Sequence, residues 1–221
     1  MIARRYNYWR FLRSAVVQGW NQHFFLLINT SAHPAGWAVQ AALLLANSPV
    51  VVGPATLVIL WIWGRPSQRG GLLAVTGGML IALGINQVLG MLYFEPRPFM
   101  IGLGHTLLPH PPDNSFPSDH ATFVWALGIG LIATRATPRI GGVVSVYGLS
   151  VAWSRVFVGV HFPLDMLVSA AVGLVGGEFA AVVRPMVATW VLPPAERLYE
   201  GTLTLLHVPH ALLPRRDSLP R

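Results

Sequence analysis

Residues 154–165 read SRVFVGVHFPLD and join two of the most apolar parts of a 221-residue chain. Within this stretch Arg155, His161 and Asp165 stand at fixed intervals among valines and phenylalanines. Ionisable side chains are costly inside a bilayer, so they persist there for structural partners or for function. The stretch therefore predicts the junction of two membrane helices, with a polar site built into it.

The composition of the chain is that of a membrane protein. Hydrophobic residues make up 53% of it and charged residues 10%, whereas soluble domains carry about 25% charged residues. The chain has no cysteine, which excludes disulfides and thiolate metal sites. All 15 cationic residues are arginines, scattered through connecting segments and tails. This pattern favours positive-inside topology and contact with anionic membrane lipids, and a nucleic-acid partner is not expected.

The hydropathy pattern predicts an all-α, polytopic membrane helical bundle. A spanning helix needs about 20 mostly apolar residues. Five stretches qualify, namely 36–63 with a kink at 47–49, 71–94, 118–134, 140–158 and 163–183. We expect a single domain over residues 1–221. Its parts are an N-terminal arm (1–35), a catalytic helical core (36–185) and a basic cytoplasmic tail (186–221) that begins with an interfacial helix and ends loosely.

The arginines predict which side of the membrane each loop faces. The first loop holds Arg65 and Arg69, the third holds Arg135 and Arg139, and neither loop contains an acidic residue. Both loops and the arginine-bearing tail are therefore expected in the cytoplasm. The second loop and the junction between the fourth and fifth spans then face outward.

Five spans place the N-terminal arm on the outer side. Residues 14–31 do not read as a cleavable signal peptide, because polar residues interrupt the apolar run. We expect an amphipathic helix lying in the interface, and the alternative is a weak sixth span. The side chains expected towards lipid are Trp20, Phe24, Phe25 and Leu26.

Three polar clusters fall on the outward side. Arg97 follows the second span, and Arg155 ends the fourth. Ser118 is placed to N-cap the third span, so that His120 lies in its first turn beside free backbone N–H groups that favour phosphate. Within the second span, Asn86 and Gln87 indicate hydrogen bonding between helices.

The junction before the fifth span completes the set. His161 precedes this helix, Pro163 suits its first position, and Asp165 lies in its first turn, where it orients the imidazole. A single interfacial histidine or arginine is more often a headgroup contact than a catalytic group. Two arginines, two histidines, a helix N-terminus and one carboxylate together favour phosphoryl transfer, with one histidine attacking and the other protonating the leaving group.

At these residues the sequence resembles the type 2 phosphatidic acid phosphatase (PAP2) superfamily, whose motifs are K-x6-R-P, P-S-G-H and S-R-x5-H-x3-D. The third motif is complete from Ser154 to Asp165, and the second appears as PSDH, with Asp119 in place of glycine. The first keeps Arg97 and its proline, but Gly90 stands where the lysine is expected. The likeness covers roughly residues 20–185 and is greatest to the bacitracin-resistance type of undecaprenyl-diphosphatase.

The resemblance implies hydrolysis of undecaprenyl diphosphate at the outer face of the bacterial inner membrane. It implies that His161 is the nucleophile, that Asp165 orients it and that His120 is the acid and then the base. Phosphate binding falls to Arg97, Arg155 and the backbone around Ser118 and Asp119. The Asp119 carboxylate is expected to point away from the phosphate. His105, His110 or the N-terminal arginines are left as candidates to replace the missing lysine.

The resemblance implies neither a metal nor another cofactor. The histidines serve better as catalysts than as ligands, and no cluster has the all-oxygen character of a magnesium site. The expected partners are the polyprenyl diphosphate substrate and membrane lipids, and no obligatory protein partner is evident. Two alternatives stay open. One is another lipid phosphatase or phosphotransferase, acting on phosphatidylglycerol phosphate, phosphatidate or lipid A. The other is an anion transporter, although no repeated halves are visible.

Overall fold

The structure is a computed structural model that describes residues 18–208. The described chain is helical and contains no β-strand, only an isolated bridge between Pro96 and Asn114. Its helices are α1 (18–28), α2 (Gly36–Asn47), α3 (Pro49–Trp63), α4 (Arg69–Leu92), α5 (Asp119–Ala133), α6 (Pro138–Phe157), α7 (Pro163–Met186) and α8 (Leu192–Leu205). The predicted all-α class is confirmed.

Helices α4, α5, α6 and α7 surround the main apolar core, which includes Val75, Leu127, Leu131 and Val151. Close approach of α4 and α7 depends on glycine. A Cβ added to Gly78 would lie 2.2 Å from the carbonyl oxygen of Gly176. Small residues of this kind let backbones pack closely where lipid gives no hydrophobic drive for association.

The chain is a multi-pass membrane protein. Three helical stretches, 66–92, 138–157 and 163–205, are long and apolar enough to cross a bilayer, and the α2–α3 pair makes a fourth if it counts as one span. The pair bends by 56° at the position where the sequence predicts a kink. Helix α5, the third predicted span, is apolar but only 15 residues long.

Helix α7 covers the fifth predicted span, 163–183, and the helix continues beyond it. A π-helical segment, Val187–Val191, joins α7 to α8, and the helical path continues to Leu205. Pro193 and Pro194 do not break it, because they lie in the first turn of α8, where backbone N–H groups have no obligatory intrahelical partner. Residues 209–221 of the predicted tail lie outside the described part.

Helix α8 packs back against the loop side of α3 and α4. Arg69, predicted in a cytoplasmic loop, is instead the first residue of α4 and is fully buried. Its guanidinium lies 4.8 Å from the ring centre of Tyr199 and 5.2 Å from that of Trp61. Nη1 of Arg69 also lies 3.8 Å from Oε1 of Glu196, so two aromatic rings and an acid hold this charge inside the protein.

The described part of the N-terminal arm differs from the predicted interfacial helix. Trp20, Phe24 and Leu26 are exposed as expected, but Phe25 is fully buried and packs against Phe162, with ring centres 5.4 Å apart. Asn21 is also buried. Its Oδ1 accepts a hydrogen bond from the N–H of Leu164. One face of α1 therefore supports the junction before α7. Residues 1–17, with the four N-terminal arginines, lie outside the described residues.

Candidate active site

The polar residues predicted from separate helix ends meet in one cleft of about 500 Å³, called here the catalytic cleft. Its lining includes Arg97, Asp119, His120, Arg155 and His161. Each comes from a helix end or a connecting segment, because α4 and α6 end, and α5 and α7 begin, beside the segments that line the cleft. The fold therefore brings together groups that lie up to 64 residues apart in the chain.

His161 lies at the base of this cleft, with its two ring nitrogens in different surroundings. Nε2 lies 3.2 Å from Nη1 of Arg97 and 3.2 Å from Nη2 of Arg155. Guanidinium groups only donate hydrogen bonds. Nε2 must therefore accept, so it carries the lone pair, and the ring proton belongs on Nδ1. The nitrogen with the lone pair is thus the one that faces the two positive charges.

The proton on Nδ1 faces a carboxylate and a hydroxyl. Nδ1 lies 3.3 Å from Oδ2 of Asp165 and 3.3 Å from Oγ of Ser115. The same Oδ2 accepts hydrogen bonds from the Ser115 hydroxyl at 2.5 Å and from the N–H of Phe162 at 2.8 Å. Because three donors surround this oxygen, the carboxylate is fixed in the orientation that selects the Nδ1–H tautomer.

The electrostatic surroundings of His161 keep its ring neutral. Burial first, and then the positive charges of Arg155 and Arg97, lower the pKa of His161 well below its ordinary value of 6.5. The contact between His161 and Asp165 is therefore a hydrogen bond and not an ion pair in the free protein. A neutral imidazole, with the lone pair of Nε2 directed towards the two guanidinium groups, is the form of histidine that can act as a nucleophile.

The two arginines are held by backbone and acidic partners. Arg97 donates from Nε to Oδ1 of Asp113 at 2.7 Å, and from Nη1 and Nη2 to the carbonyls of Val160 and Asn114. Arg155 donates from Nη1 to the carbonyl of Ala46 at 3.3 Å. These contacts aim both guanidinium groups towards Nε2 of His161, where they suit the oxygens of a phosphoryl group.

The N-terminus of α5 differs in one respect from its prediction. Ser118 is the N-cap residue by position, but its hydroxyl makes no capping hydrogen bond and is buried without a partner. Its N–H donates to Oγ of Ser169 at 2.9 Å, and Ser118 does not line the catalytic cleft. The predicted phosphate contact of Ser118 is therefore not supported. Asp119 and His120 occupy the first two helical positions, whose N–H groups have no intrahelical acceptor.

Residues 71–188 of the chain match the PAP2 superfamily. The chain belongs to the PAP2 superfamily. It is 32% identical to undecaprenyl-diphosphatase BcrC of Bacillus subtilis over 192 residues, which cover 84% of this chain and 95% of that relative. It is 29% identical to an undecaprenyl-diphosphatase of Sulfolobus acidocaldarius, over 70% of this chain and 74% of that relative. Lipid phosphatase activity follows from these similarities at the level of the superfamily.

The fold of this PAP2 chain is also similar to a solved structure. The crystal structure of Aquifex aeolicus LpxE matches with a TM-score of 0.59, and the match covers 72% of this chain and 93% of the LpxE chain. The two sequences are 23% identical over this match, so the likeness concerns the fold alone. It agrees with the helical architecture described above.

Asp119, which replaces the glycine of the second PAP2 motif, is paired with α4. Its Oδ1 accepts a hydrogen bond from Nδ2 of Asn86 at 2.8 Å, and its Oδ2 accepts one from Nε2 of Gln87 at 3.3 Å. Asn86 also donates to the hydroxyl of Thr122 at 3.0 Å. The hydrogen bonding between helices predicted for both amides is thus present, and it holds the Asp119 carboxylate against α4.

Gly90 occupies the position of the lysine in the first PAP2 motif, and it lies on the wall of the catalytic cleft. Of the candidates to replace it, His110 lines the cleft and His105 does not. Backbone groups of His105 bond instead to the side chain of Asn29. Burial and the charge of Arg97 lower the pKa of His110, whose Nδ1 lies 3.5 Å from Oδ1 of Asp113. The N-terminal arginines lie outside the described residues.

Three residues that orient Arg97 and Asp165 are not predicted from the sequence, namely Asp113, Asn114 and Ser115. They lie in the irregular segment between α4 and α5, where no periodicity marks a role. The only available signal was their position just before the PSDH motif. Within residues 18–208, no three His, Asp or Glu side chains are grouped as a metal site requires.

Proposed function

We propose that the chain hydrolyses undecaprenyl diphosphate to undecaprenyl phosphate and phosphate, through a phosphohistidine on His161. The observation that carries the proposal is the position of Nε2 of His161, at 3.2 Å from a donor of Arg97 and at 3.2 Å from a donor of Arg155. A terminal phosphoryl group held by both arginines lies directly in front of the nucleophilic nitrogen. The relatives named undecaprenyl-diphosphatase support this choice of substrate.

The first step forms the phosphohistidine. The lone pair of Nε2 attacks the terminal phosphorus, and the bond from that phosphorus to the bridging oxygen breaks. Arg97 and Arg155 balance the charge of the three equatorial oxygens, which is the main catalytic requirement of phosphoryl transfer. Asp165 stabilises the imidazolium that develops as Nδ1 keeps its proton. His120, which lines the same cleft, protonates the departing oxygen of undecaprenyl phosphate.

The second step returns the enzyme to its starting state. His120, now neutral, removes a proton from a water molecule that attacks the phosphohistidine. The bond between phosphorus and Nε2 breaks, phosphate leaves, and His161 is neutral again. Proton transfers by a positioned residue contribute typically about 10²–10⁴-fold to the rate. A lipid alcohol or lipid phosphate in place of water would make the same site a phosphotransferase.

We place the reaction at the outer face of the bacterial inner membrane and assign it to one helical unit. The segments that build the catalytic cleft lie on the side opposite the loops that carry Arg65, Arg135 and Arg139. By the positive-inside rule those loops are cytoplasmic, so the cleft opens outward. All residues that line it lie between 86 and 161, inside the proposed core of residues 36–185.

The test is phosphate release by the purified protein in detergent, with EDTA present. Undecaprenyl diphosphate, phosphatidylglycerol phosphate and phosphatidate are compared, and we expect the diphosphate to have the highest kcat/KM. The positive charges assigned to phosphate are arginines, so turnover should persist in EDTA. A higher kcat/KM for either of the two other lipids would overturn the proposed substrate while keeping the site.

The covalent step needs a separate measurement. Substrate labelled with ³²P in its terminal phosphate, quenched in alkali, should leave acid-labile label on the wild-type protein and none on His161→Ala. His161→Ala should lose essentially all turnover, and His105→Ala is the matched control because His105 lies outside the cleft. Turnover of His161→Ala above about a tenth of wild type is incompatible with a covalent nucleophile.

A further inference from the structure

A second cavity adjoins the catalytic cleft and differs from it in character. It has a volume of about 300 Å³ and is lined by Pro49, Val50, Pro54, Leu83 and Phe123. Asp119 and His120 line both this cavity, called here the apolar groove, and the catalytic cleft. The two spaces therefore meet at the residue proposed to protonate the leaving group.

The apolar groove owes its shape to the broken first span. Helix α3 begins at Pro49 after the 56° bend, and Pro54 interrupts its hydrogen bonding one turn later. Val50 has 66% of its surface exposed, so this wall is open towards the surrounding hydrocarbon. A lipid hydrocarbon tail that enters the groove from the bilayer reaches His120 without crossing a polar surface.

A glycine sets the position of the aromatic ring on the opposite wall. A Cβ added to Gly53 would lie 2.0 Å from Cε1 of Phe123 and 2.7 Å from its Cζ. The ring of Phe123 therefore rests directly on the backbone of α3, at a place where only glycine leaves room for it. Any larger residue at position 53 displaces the ring, and the ring is part of the groove wall.

We propose that the apolar groove binds the first isoprene units of the substrate chain, and that Gly53 and Phe123 set its width. The inference rests on the proposed function. The isoprenoid tail of the substrate is linked, through the phosphate that stays on the lipid, to the oxygen that His120 protonates. The tail must therefore leave the catalytic cleft beside His120. The apolar groove is the apolar space that begins there. Because branched isoprene units fill a short groove of fixed width, the groove selects lipids by the shape of their hydrocarbon tail.

Two neighbouring valines offer a matched test. Val50 lines the groove and Val51 does not, although both are on α3 and are 66% and 69% exposed. Val50→Trp fills the groove, so KM for undecaprenyl diphosphate should rise at least about tenfold, the equivalent of about 1.4 kcal/mol of binding. Val51→Trp places the same bulk on the same helix and should change KM less than about twofold.

Inorganic phosphate provides a second readout, because it occupies the catalytic cleft without reaching the groove. Its inhibition constant should stay within about twofold of wild type in both variants. Equal KM values for the two tryptophan variants would mean that bulk lipid covers the groove, and would overturn the inference. An equal loss of affinity for inorganic phosphate and for the substrate in Val50→Trp would also overturn the inference, because the substitution would then act on the catalytic cleft itself.

Gly53→Ala tests the same wall from the other side. Displacement of the Phe123 ring should raise KM for the long-chain substrate, and Phe123→Ala introduced into that variant should restore it at least in part. If the wild-type protein instead prefers another lipid phosphate, the variants are assayed on that lipid. Failure of the proposed substrate is then distinguishable from failure of the groove.

Discussion

The hydroxyl of Ser115 donates a 2.5 Å hydrogen bond to Oδ2 of Asp165, the oxygen that lies 3.3 Å from Nδ1 of His161. Ser115 does not line the catalytic cleft, so it reaches the reaction only through these two residues. In the proposed mechanism Ser115 is a positioning residue, and its loss should affect catalysis more than substrate binding.

Ser115→Ala should lower kcat about tenfold, because a hydrogen bond to a charged group is worth about 1.5 kcal/mol or more. KM for undecaprenyl diphosphate should change less than about twofold. Ser145→Ala is the control, since its hydroxyl bonds only to the carbonyl of Gly141 within α6. A rise in KM with unchanged kcat would contradict the positioning role.

The lowered pKa of His161 makes a prediction for the pH profile. Burial and the charges of Arg155 and Arg97 lower this pKa, so the ring stays neutral at pH values below 6.5. Loss of kcat/KM by protonation of His161 in the free enzyme should therefore begin below that value. Removal of a nearby positive charge removes one cause of the shift and raises the pKa.

Arg97→Gln should accordingly move the acid limb of the kcat/KM profile to higher pH, in addition to lowering activity overall. Ionisation of the substrate contributes to both profiles equally and does not produce a difference between them. Initial rates from about pH 5 to pH 8, around the ordinary histidine value, measure the shift. A limb that stays in place or moves to lower pH would show that His161 is not the titrating group.

The contact of Asn86 with α5 predicts a difference between two adjacent amides. Asn86 is buried and donates to Asp119 and Thr122, whereas Gln87 is exposed and donates one 3.3 Å hydrogen bond to Asp119. Asn86→Leu should lower the free energy of unfolding by about 1 kcal/mol, within the range measured for hydrogen bonds between membrane helices. Gln87→Leu should change it by clearly less. Equal effects in detergent denaturation would contradict the structure of this contact.

The proposed sidedness is testable because the chain has no cysteine. Met100, in the segment after α4, and Ser67, in the turn before α4, are both exposed. Met100→Cys should react with an impermeant maleimide in intact spheroplasts, and Ser67→Cys should react only after lysis. The opposite pattern would place the catalytic cleft in the cytoplasm.

Much of the helical framework was predictable because long apolar stretches separated by polar loops have few alternatives to membrane helices. The kink at residues 47–49 followed from Pro49, and the approach of Arg97, Arg155 and His161 followed from helix ends at a common depth. Phe25 and Asn21 were not predictable, since their burial depends on contacts with Phe162 and Leu164 far along the chain.

Ser115 shows the same limit inside the site. Its partner Asp165 is 50 residues away, and one serine in an irregular segment has no pattern that marks it. The hydroxyl of Ser118 shows the opposite error. The sequence predicts a capping side chain there, but packing against α7 gives the backbone N–H to Ser169 and leaves the hydroxyl buried.

The burial of Arg69 predicts that the packing of α8 against α3 and α4 depends on one charged side chain. Arg69 lies between Trp61 and Tyr199 and beside Glu196, which is itself only 5% exposed. Removal of one partner from a buried ion pair leaves the other charge uncompensated and costs about 3–5 kcal/mol. Arg69→Ala should therefore lower the melting temperature in detergent by many degrees, and a lysine should not restore it, because lysine lacks the planar group that stacks on both rings.

Arg65→Ala is the matched control, since Arg65 is exposed four residues earlier in the same region. Exposed substitutions change the free energy of unfolding by about 0.5 kcal/mol or less. Arg69 does not line the catalytic cleft, so the folded fraction of Arg69→Ala should keep wild-type KM at low temperature. Equal melting temperatures for Arg69→Ala and Arg65→Ala would show that α8 is held to α3 and α4 by other contacts.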